Sequence, residues 1–283
     1  MAGKHPRETP RDPIARRNAW LNEKFLRYSQ RLVRRRFHAV RMLEPGEGLS
    51  IEDARPSQPP TSTDSDVPSV HTAVYLNHPS WWDPMAAVVV ARAMFRDQQH
   101  YAPIDADMLA AYPLLDRFGF FGVDRGSPRG AAAFFRTSSR ILEDPGRMLW
   151  LTAQGRFADV RDRPVGLMPG LAHLARRLPG LQARPLAVEY GFWEQSKPEM
   201  FLSLGDPVGP PPDPSSTEAW SVALEAAITQ QMDALSDAVR SRDPDRFTTL
   251  NAGRSGVGGA YDLGRRFVAW ARGKRFTPDH GRS

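Results

Sequence analysis

His71-Thr72-Ala73-Val74-Tyr75-Leu76-Asn77-His78-Pro79-Ser80-Trp81-Trp82-Asp83-Pro84 reads as a strand, a tight loop and the mouth of a helix. The first six residues are apolar and β-branched enough for a buried strand. Pro84 marks the helix start, because proline suits the first helical position and pushes the residue before it out of the α region. Asp83 is therefore expected as the N-cap of a helix running on through Met85-Ala86-Ala87-Val88-Val89-Val90-Ala91. His78 and Asp83 are five residues apart. On one helix that spacing would turn the two side chains roughly 500°, about 140° out of line. They can meet only where the chain bends. A histidine fixed by a carboxylate has the parts of a general base, whereas a capping aspartate beside a loop histidine would be inert.

Outward from this stretch, apolar strands alternate with helices. Strands are expected at His100 to Ile104, Phe118 to Val123, Arg147 to Thr152, Pro185 to Tyr190 and Met200 to Leu204. Helices are expected over Asp107 to Arg117, Pro128 to Leu142, Leu167 to Leu178 and Ser216 to Arg240. That alternation predicts an α/β fold, with a mixed, largely parallel sheet flanked by helices. Polar clusters at His78, Arg125, Gln154 and Glu189 follow or end apolar strands, where such sheets build their sites.

The 283 residues, 41% of them apolar, suffice for a full core, and there is no cysteine. Disulfides, thiolate nucleophiles and cysteine-bound zinc are excluded. Charge is unevenly spread. Residues 1–43 carry 12 Lys/Arg against 3 Asp/Glu, and residues 251–283 carry 7 against 2. Residues 44–250 carry 19 against 27. A mildly acidic body with basic ends is not the pattern of a domain that grips nucleic acid through its core surface, and on charge alone the basic ends suit an anionic membrane face or an RNA backbone equally well. Ile14 to Met42 has neither proline nor glycine, and Trp20, Leu21, Phe25, Tyr28 and Leu32 recur at helical spacing among arginines. It is expected as one amphipathic N-terminal helix, with either an interfacial or a body-packing face. Tyr261, Phe267 and Trp270 repeat the aromatic-plus-arginine theme near the end of the chain. Residues 44–70, rich in Pro, Ser and Thr, are expected as a flexible loop. The start of the chain lacks the apolar core of a signal peptide, and no uncharged run approaches the roughly 20 residues of a bilayer span. A cytoplasmic protein lying peripherally on the inner face of the membrane is expected.

No G-x-S-x-G elbow, phosphate-binding loop, dinucleotide fingerprint or H-E-x-x-H zinc motif is present. Asn77-His78-Pro79-Ser80-Trp81-Trp82-Asp83 resembles the H-x4-D block of the glycerolipid and lysophospholipid acyltransferases. Gly119-Phe120-Phe121-Gly122-Val123-Asp124-Arg125 resembles that family's second block. Thr152-Ala153-Gln154-Gly155-Arg156 falls where the third, usually F-P-E-G-T-R, should lie, and Arg184-Pro185-Leu186-Ala187-Val188 resembles the fourth. The four blocks run in order through about half the chain, residues 71 to 205. The resemblance implies an acyltransferase domain over 71–245, between the basic N-terminal helix 1–43 with its loop 44–70 and a basic tail 246–283. It implies transfer of a fatty acyl group from acyl-CoA or an acyl carrier protein to the hydroxyl of a lysophospholipid or another lipid alcohol. His78 would act as general base and Asp83 would orient it, with no metal or cofactor required. Arg125, Gln154, Gly155 and Arg156 would bind substrate. Gln154 stands where the family has glutamate, and Phe157 where it has arginine, so the acceptor need not be a glycerol phosphate. The alternative from another class is a non-catalytic lipid-binding protein on the same fold.

Overall fold

A computed structural model describes residues 12–44 and 71–253. The expected strand and helix pattern forms one mixed, mostly parallel eight-stranded sheet with helices on both faces. In chain order the elements are α1 (Pro13–Arg16), α2 (Ala19–Arg36), β1 (Ala39–Leu43), β2 (His71–Leu76), α3 (Asp83–Met94), β3 (Gln99–Asp105), α4 (Ala106–Ala111), β4 (Phe120–Val123), α5 (Pro128–Leu142), β5 (Arg147–Thr152), α6 (Gly170–Arg177), β6 (Leu181–Gly191), β7 (Glu199–Leu204), α7 (Thr217–Ser241) and β8 (Phe247–Ala252). The spatial order is β4-β3-β5-β2-β6-β7-β1-β8. β4 through β6 run parallel, while β7 pairs antiparallel with β6 and β8 antiparallel with β1.

β2 occupies the middle, and Thr72 to Leu76 are all buried. Such a run packs on both faces, as a central parallel strand must. Ala73 and Tyr75 join the core beneath α5, α6 and α7, and Val74 and Leu76 join the core beneath α2 and α3. The helices start where their sequences dictate. Ser127 accepts from the Gly130 N–H ahead of Pro128, and Ser216 accepts from the Ala219 N–H. Both are ordinary N-caps satisfying donors that the first turn leaves free.

The crossovers place the site. From β2 the chain passes through α3 on one face and moves outward to β3; from β5 it passes through α6 on the other face and moves to β6. β2 and β5 are neighbours whose exits diverge, so a crevice opens outside their C-terminal ends. The loops at 77–82 and 153–169 flank it.

The structure corrects three expectations. The helix read over Ile14 to Met42 is two helices ending at Arg36, and Ala39–Leu43 is a strand. β1 pairs with β7 and β8, a long-range gain that overrides local helical preference. The segment assigned to a C-terminal tail begins with β8, so strands from both basic ends lie side by side in the same sheet. The helix expected over Asp107 to Arg117 breaks before Pro113, beyond which the turns are 3₁₀. The loop expected over 44–70 and the aromatic tail around Tyr261, Phe267 and Trp270 lie outside the described residues.

Candidate active site

Asn77, the first residue beyond β2, extends the sheet with its side chain. Its amide donates to the Val188 carbonyl at 2.9 Å and accepts from the Val188 N–H at 2.8 Å. That pins the loop's start to β6 after backbone pairing has ended at Leu76. The loop then turns back, and His78 Nδ1 lies 2.6 Å from Asp83 Oδ2. The Ser80 N–H donates to the same oxygen at 3.0 Å. Asp83 is thus the first residue of α3 rather than its N-cap, and its carboxylate faces back into the loop.

Asp83 is fully buried. A carboxylate out of water needs donors on both oxygens, and Tyr190 supplies the remaining one, its hydroxyl donating to Oδ1 at 2.6 Å. Burial, with the carboxylate beside it, pushes the Tyr190 hydroxyl far above its ordinary value, so it remains a donor. A carboxylate only accepts, so a neutral imidazole facing one through Nδ1 donates there and presents Nε2 as its acceptor. Tyr190 sits 107 residues from Asp83 in sequence and carries no local mark of its role; only the facing of β6 puts it there.

Gln154 is buried and binds the protein at both ends of its amide. Its Oε1 accepts from the His78 N–H at 2.7 Å and its Nε2 donates to the Val165 carbonyl at 2.8 Å. The Ala158 N–H donates to the His78 carbonyl at 3.1 Å. The backbone of His78 is therefore clamped on both sides by the loop after β5. Gln154 lies behind the site wall and positions His78, in place of the substrate contact expected of it.

Gly155 has φ +64°, and a Cβ there would lie 2.2 Å from Met168 Sδ. Only glycine fits this turn without displacing its neighbours. Its carbonyl accepts from Arg125 Nη1 at 2.6 Å, while Arg125 Nε and Nη2 donate to Asp105 Oδ2 at 3.0 and 2.9 Å. Against the upward pull of burial, the bonds from Arg125 and from the Asp107 N–H hold the Asp105 carboxyl below its ordinary value. Arg125 thus ties the ends of β3, β4 and β5 together while remaining half exposed to the site. Arg156 is exposed. Phe157, at the position where an arginine belongs in the resembled block, lies against the His78 ring with centroids 4.4 Å apart. Glu189 faces α7 on the far side of the sheet and takes no part, its carboxyl raised by burial and only partly offset by Arg240.

A groove of about 1760 Å³ runs past this constellation. His78, Asp83, Arg125, Gly155, Arg156 and Phe157 all contribute to its wall. Its lining includes Phe25, Val88, Ala102 and Trp150 from the α2–α3 side of the sheet and Phe134, Phe135 and Leu171 from the α5–α6 side. The lining is predominantly apolar, and His78 and Asp83 are part of it. No family model matches the chain, and no curated protein matches it.

Proposed function

We propose that this protein is an O-acyltransferase that moves a fatty acyl group from a thioester, acyl-CoA or acyl carrier protein, to the hydroxyl of a lysophospholipid or another lipid alcohol. The observation that carries this reading is the His78–Asp83 hydrogen bond of 2.6 Å on the wall of a large apolar groove. The other three blocks of the resemblance, around Arg125, Gln154 and Pro185, also support it.

In the reaction, Nε2 of His78 takes the proton of the acceptor hydroxyl as that oxygen attacks the thioester carbonyl carbon. The resulting imidazolium is stabilised by Asp83, whose own position is fixed by Tyr190 and the Ser80 N–H. When the tetrahedral intermediate collapses, the C–S bond breaks and the sulfur takes the proton back from His78. An ester and a free thiol result, and the base is regenerated. The predominantly apolar lining of the groove suits long acyl chains.

Peripheral membrane contact belongs to the same reading. Among the described residues no helix is long and apolar enough to cross a membrane. On α2, Phe25 turns inward and stacks on Phe118, with centroids 4.4 Å apart. Trp20 and Tyr28 turn outward, 67% and 63% exposed. Lys24, Arg27 and Arg31 accompany them on the exposed side, which suits an anionic lipid surface.

The test is to incubate the protein with a long-chain acyl-CoA or acyl carrier protein thioester and a panel of lysophospholipids and lipid glycosides, identifying products by mass spectrometry. An ester product that appears only with acceptor, and is lost in His78→Ala, is expected. Lipid binding without any ester product would leave the non-catalytic alternative.

A further inference from the structure

α2 carries one groove-lining residue that a purely apolar channel does not explain. Asn22, Phe25, Leu26 and Ser29 recur at helical spacing, and all four line the groove. Asn22 is only 7% exposed, and asparagine is a poor choice for a helix interior. Its side-chain amide forms no hydrogen bond with any described residue, yet both amide atoms keep some accessible surface. A buried amide without partners is unfavourable unless something in the groove supplies them.

The contacts of α2 fix where that amide stands. Arg92, near the end of α3, donates from Nη1 to Glu23 Oε1 at 3.2 Å. At the other end of α2, Phe37 packs edge-on against Trp82, with centroids 5.1 Å apart. The two helices therefore run antiparallel, and Asn22, next to Glu23, lies at the end of α3 remote from His78 and Asp83. Pro84, Ala87, Val88 and Ala91 form one stripe of groove lining along α3 between the two ends. Pro84 and Ala91 are two helical turns apart, roughly 10 Å.

Other polar groups near Asn22 are already used or closed off. His100 also lines the groove, but its Nδ1 accepts from the Trp150 indole and its ring is hydrogen-bonded to the Phe95 backbone. Ser29 Oγ has almost no accessible surface. The Asn22 amide is the group left to meet a ligand at this end.

A long acyl chain spans one leaflet, half of the roughly 30 Å hydrocarbon core of a bilayer. Laid along α3 from His78, such a chain passes Asn22 somewhat beyond its middle. Methylenes there would take water from the amide and return no hydrogen bond. A hydroxyl would return one, donating to Oδ1 or accepting from Nδ2. A buried hydrogen-bonding group discriminates against an analogue lacking its partner more strongly than an apolar wall discriminates by size.

We propose that Asn22 makes the α2–α3 part of the groove selective for an acyl chain that carries a hydroxyl beyond its middle. This deepens the acyltransferase reading and rests on it for placing one end of the chain at His78. The chain is either the one transferred or one already on the acceptor, and the recognition chemistry is shared.

Competition against a fluorescent fatty acid on the full chain tests it, with stearic, 2-hydroxystearic and 12-hydroxystearic acids as probes. The wild type, Asn22→Leu and Asn22→Ala are compared, with thermal unfolding to verify that each is folded. The wild type is expected to bind the 12-hydroxy acid roughly tenfold more tightly than the other two, as one buried hydrogen bond allows. Both variants are expected to lose that preference. Equal binding of the three acids by the wild type, no binding of any, or a preference that survives in both variants would refute the selectivity. Stearoyl-CoA and 12-hydroxystearoyl-CoA, offered with the acceptor panel, then separate the two sources. The same preference in ester formation assigns the chain to the donor, and ester formation without it assigns the chain to the acceptor. Asn22-dependent binding in a protein that transfers neither acyl group would instead refute the acyltransferase reading and leave the selectivity standing.

Discussion

Tyr190 donates its hydroxyl hydrogen to Asp83 Oδ1 across 2.6 Å, the carboxylate oxygen that His78 leaves free. The carboxylate is held from both sides, by β6 through Tyr190 and by its own loop through His78 and Ser80. Its orientation is therefore decided before any substrate arrives, which is what a positioning carboxylate requires.

Tyr190→Phe removes that donor and leaves a buried carboxylate oxygen unpaired. A loss of about 1–3 kcal/mol in stability is expected, read by urea unfolding. Turnover is expected to fall by roughly tenfold with KM little changed, since the tyrosine acts on the base's partner and not on the substrate. Unchanged stability and turnover would show that Asp83 needs no support from β6.

Gln154→Glu tests the clamp on His78. A carboxylate can still accept from the His78 N–H, but it cannot donate to Val165, and two acceptors would face each other in a buried site. The variant is expected to lose about 1–3 kcal/mol of stability and to turn over more slowly. A glutamate that worked as well as the native glutamine would mean that the Val165 bond carries no weight. Improved use of a glycerol phosphate acceptor would return residue 154 to a substrate role.

Much of this was legible in the sequence. The bounds of β2 and β5 match the apolar runs His71–Leu76 and Arg147–Thr152 because both strands are buried on two faces, so their composition reflects the core. The meeting of His78 with Asp83 was legible because a prolyl helix start forces the bend between them. β1 was not, because Ala39–Leu43 continues an unbroken arginine-rich helical pattern and becomes a strand only by pairing with β7 and β8. β8, with Thr248, Thr249 and Asn251, is an edge strand of little apolar character. The Tyr190–Asp83 contact and the two hydrogen bonds of the Gln154 amide are products of register and loop closure, which no local window contains.

β1 ties the N-terminal segment into the sheet. Deleting residues 1–43 would remove a sheet strand with the helix, so point changes are preferable. Trp20→Ser/Tyr28→Ser is expected to reduce sedimentation with phosphatidylglycerol vesicles by at least roughly tenfold, from the loss of two exposed aromatics each worth about 1.5 kcal/mol or more when inserted. Equal sedimentation of the variant and the wild type would move the contact away from this face of α2.

His100 gives the stability a pH dependence of its own. Burial lowers its pKa to about 4, with a further push from Arg17, and its Nδ1 accepts from the Trp150 indole at 3.1 Å. The folded protein resists protonating this ring, whereas the unfolded chain takes the proton near pH 6.5. Its contribution is therefore full above about pH 6.5 and is lost as pH falls toward 4, on the order of 3 kcal/mol in all. His100→Gln, which keeps an acceptor for Trp150, is expected to flatten that part of the unfolding profile. Parallel profiles for the two proteins would contradict the assignment.

The central claim is that His78 removes the acceptor proton in acyl transfer from a thioester. Its most direct test is acceptor-dependent thiol release from a long-chain acyl-CoA or acyl carrier protein thioester, measured for the wild type and His78→Ala side by side, with circular dichroism to establish that both are folded. The expected result is acceptor-dependent release by the wild type and a fall of about a hundredfold or more in the variant. Release at the same rate from both proteins would contradict it.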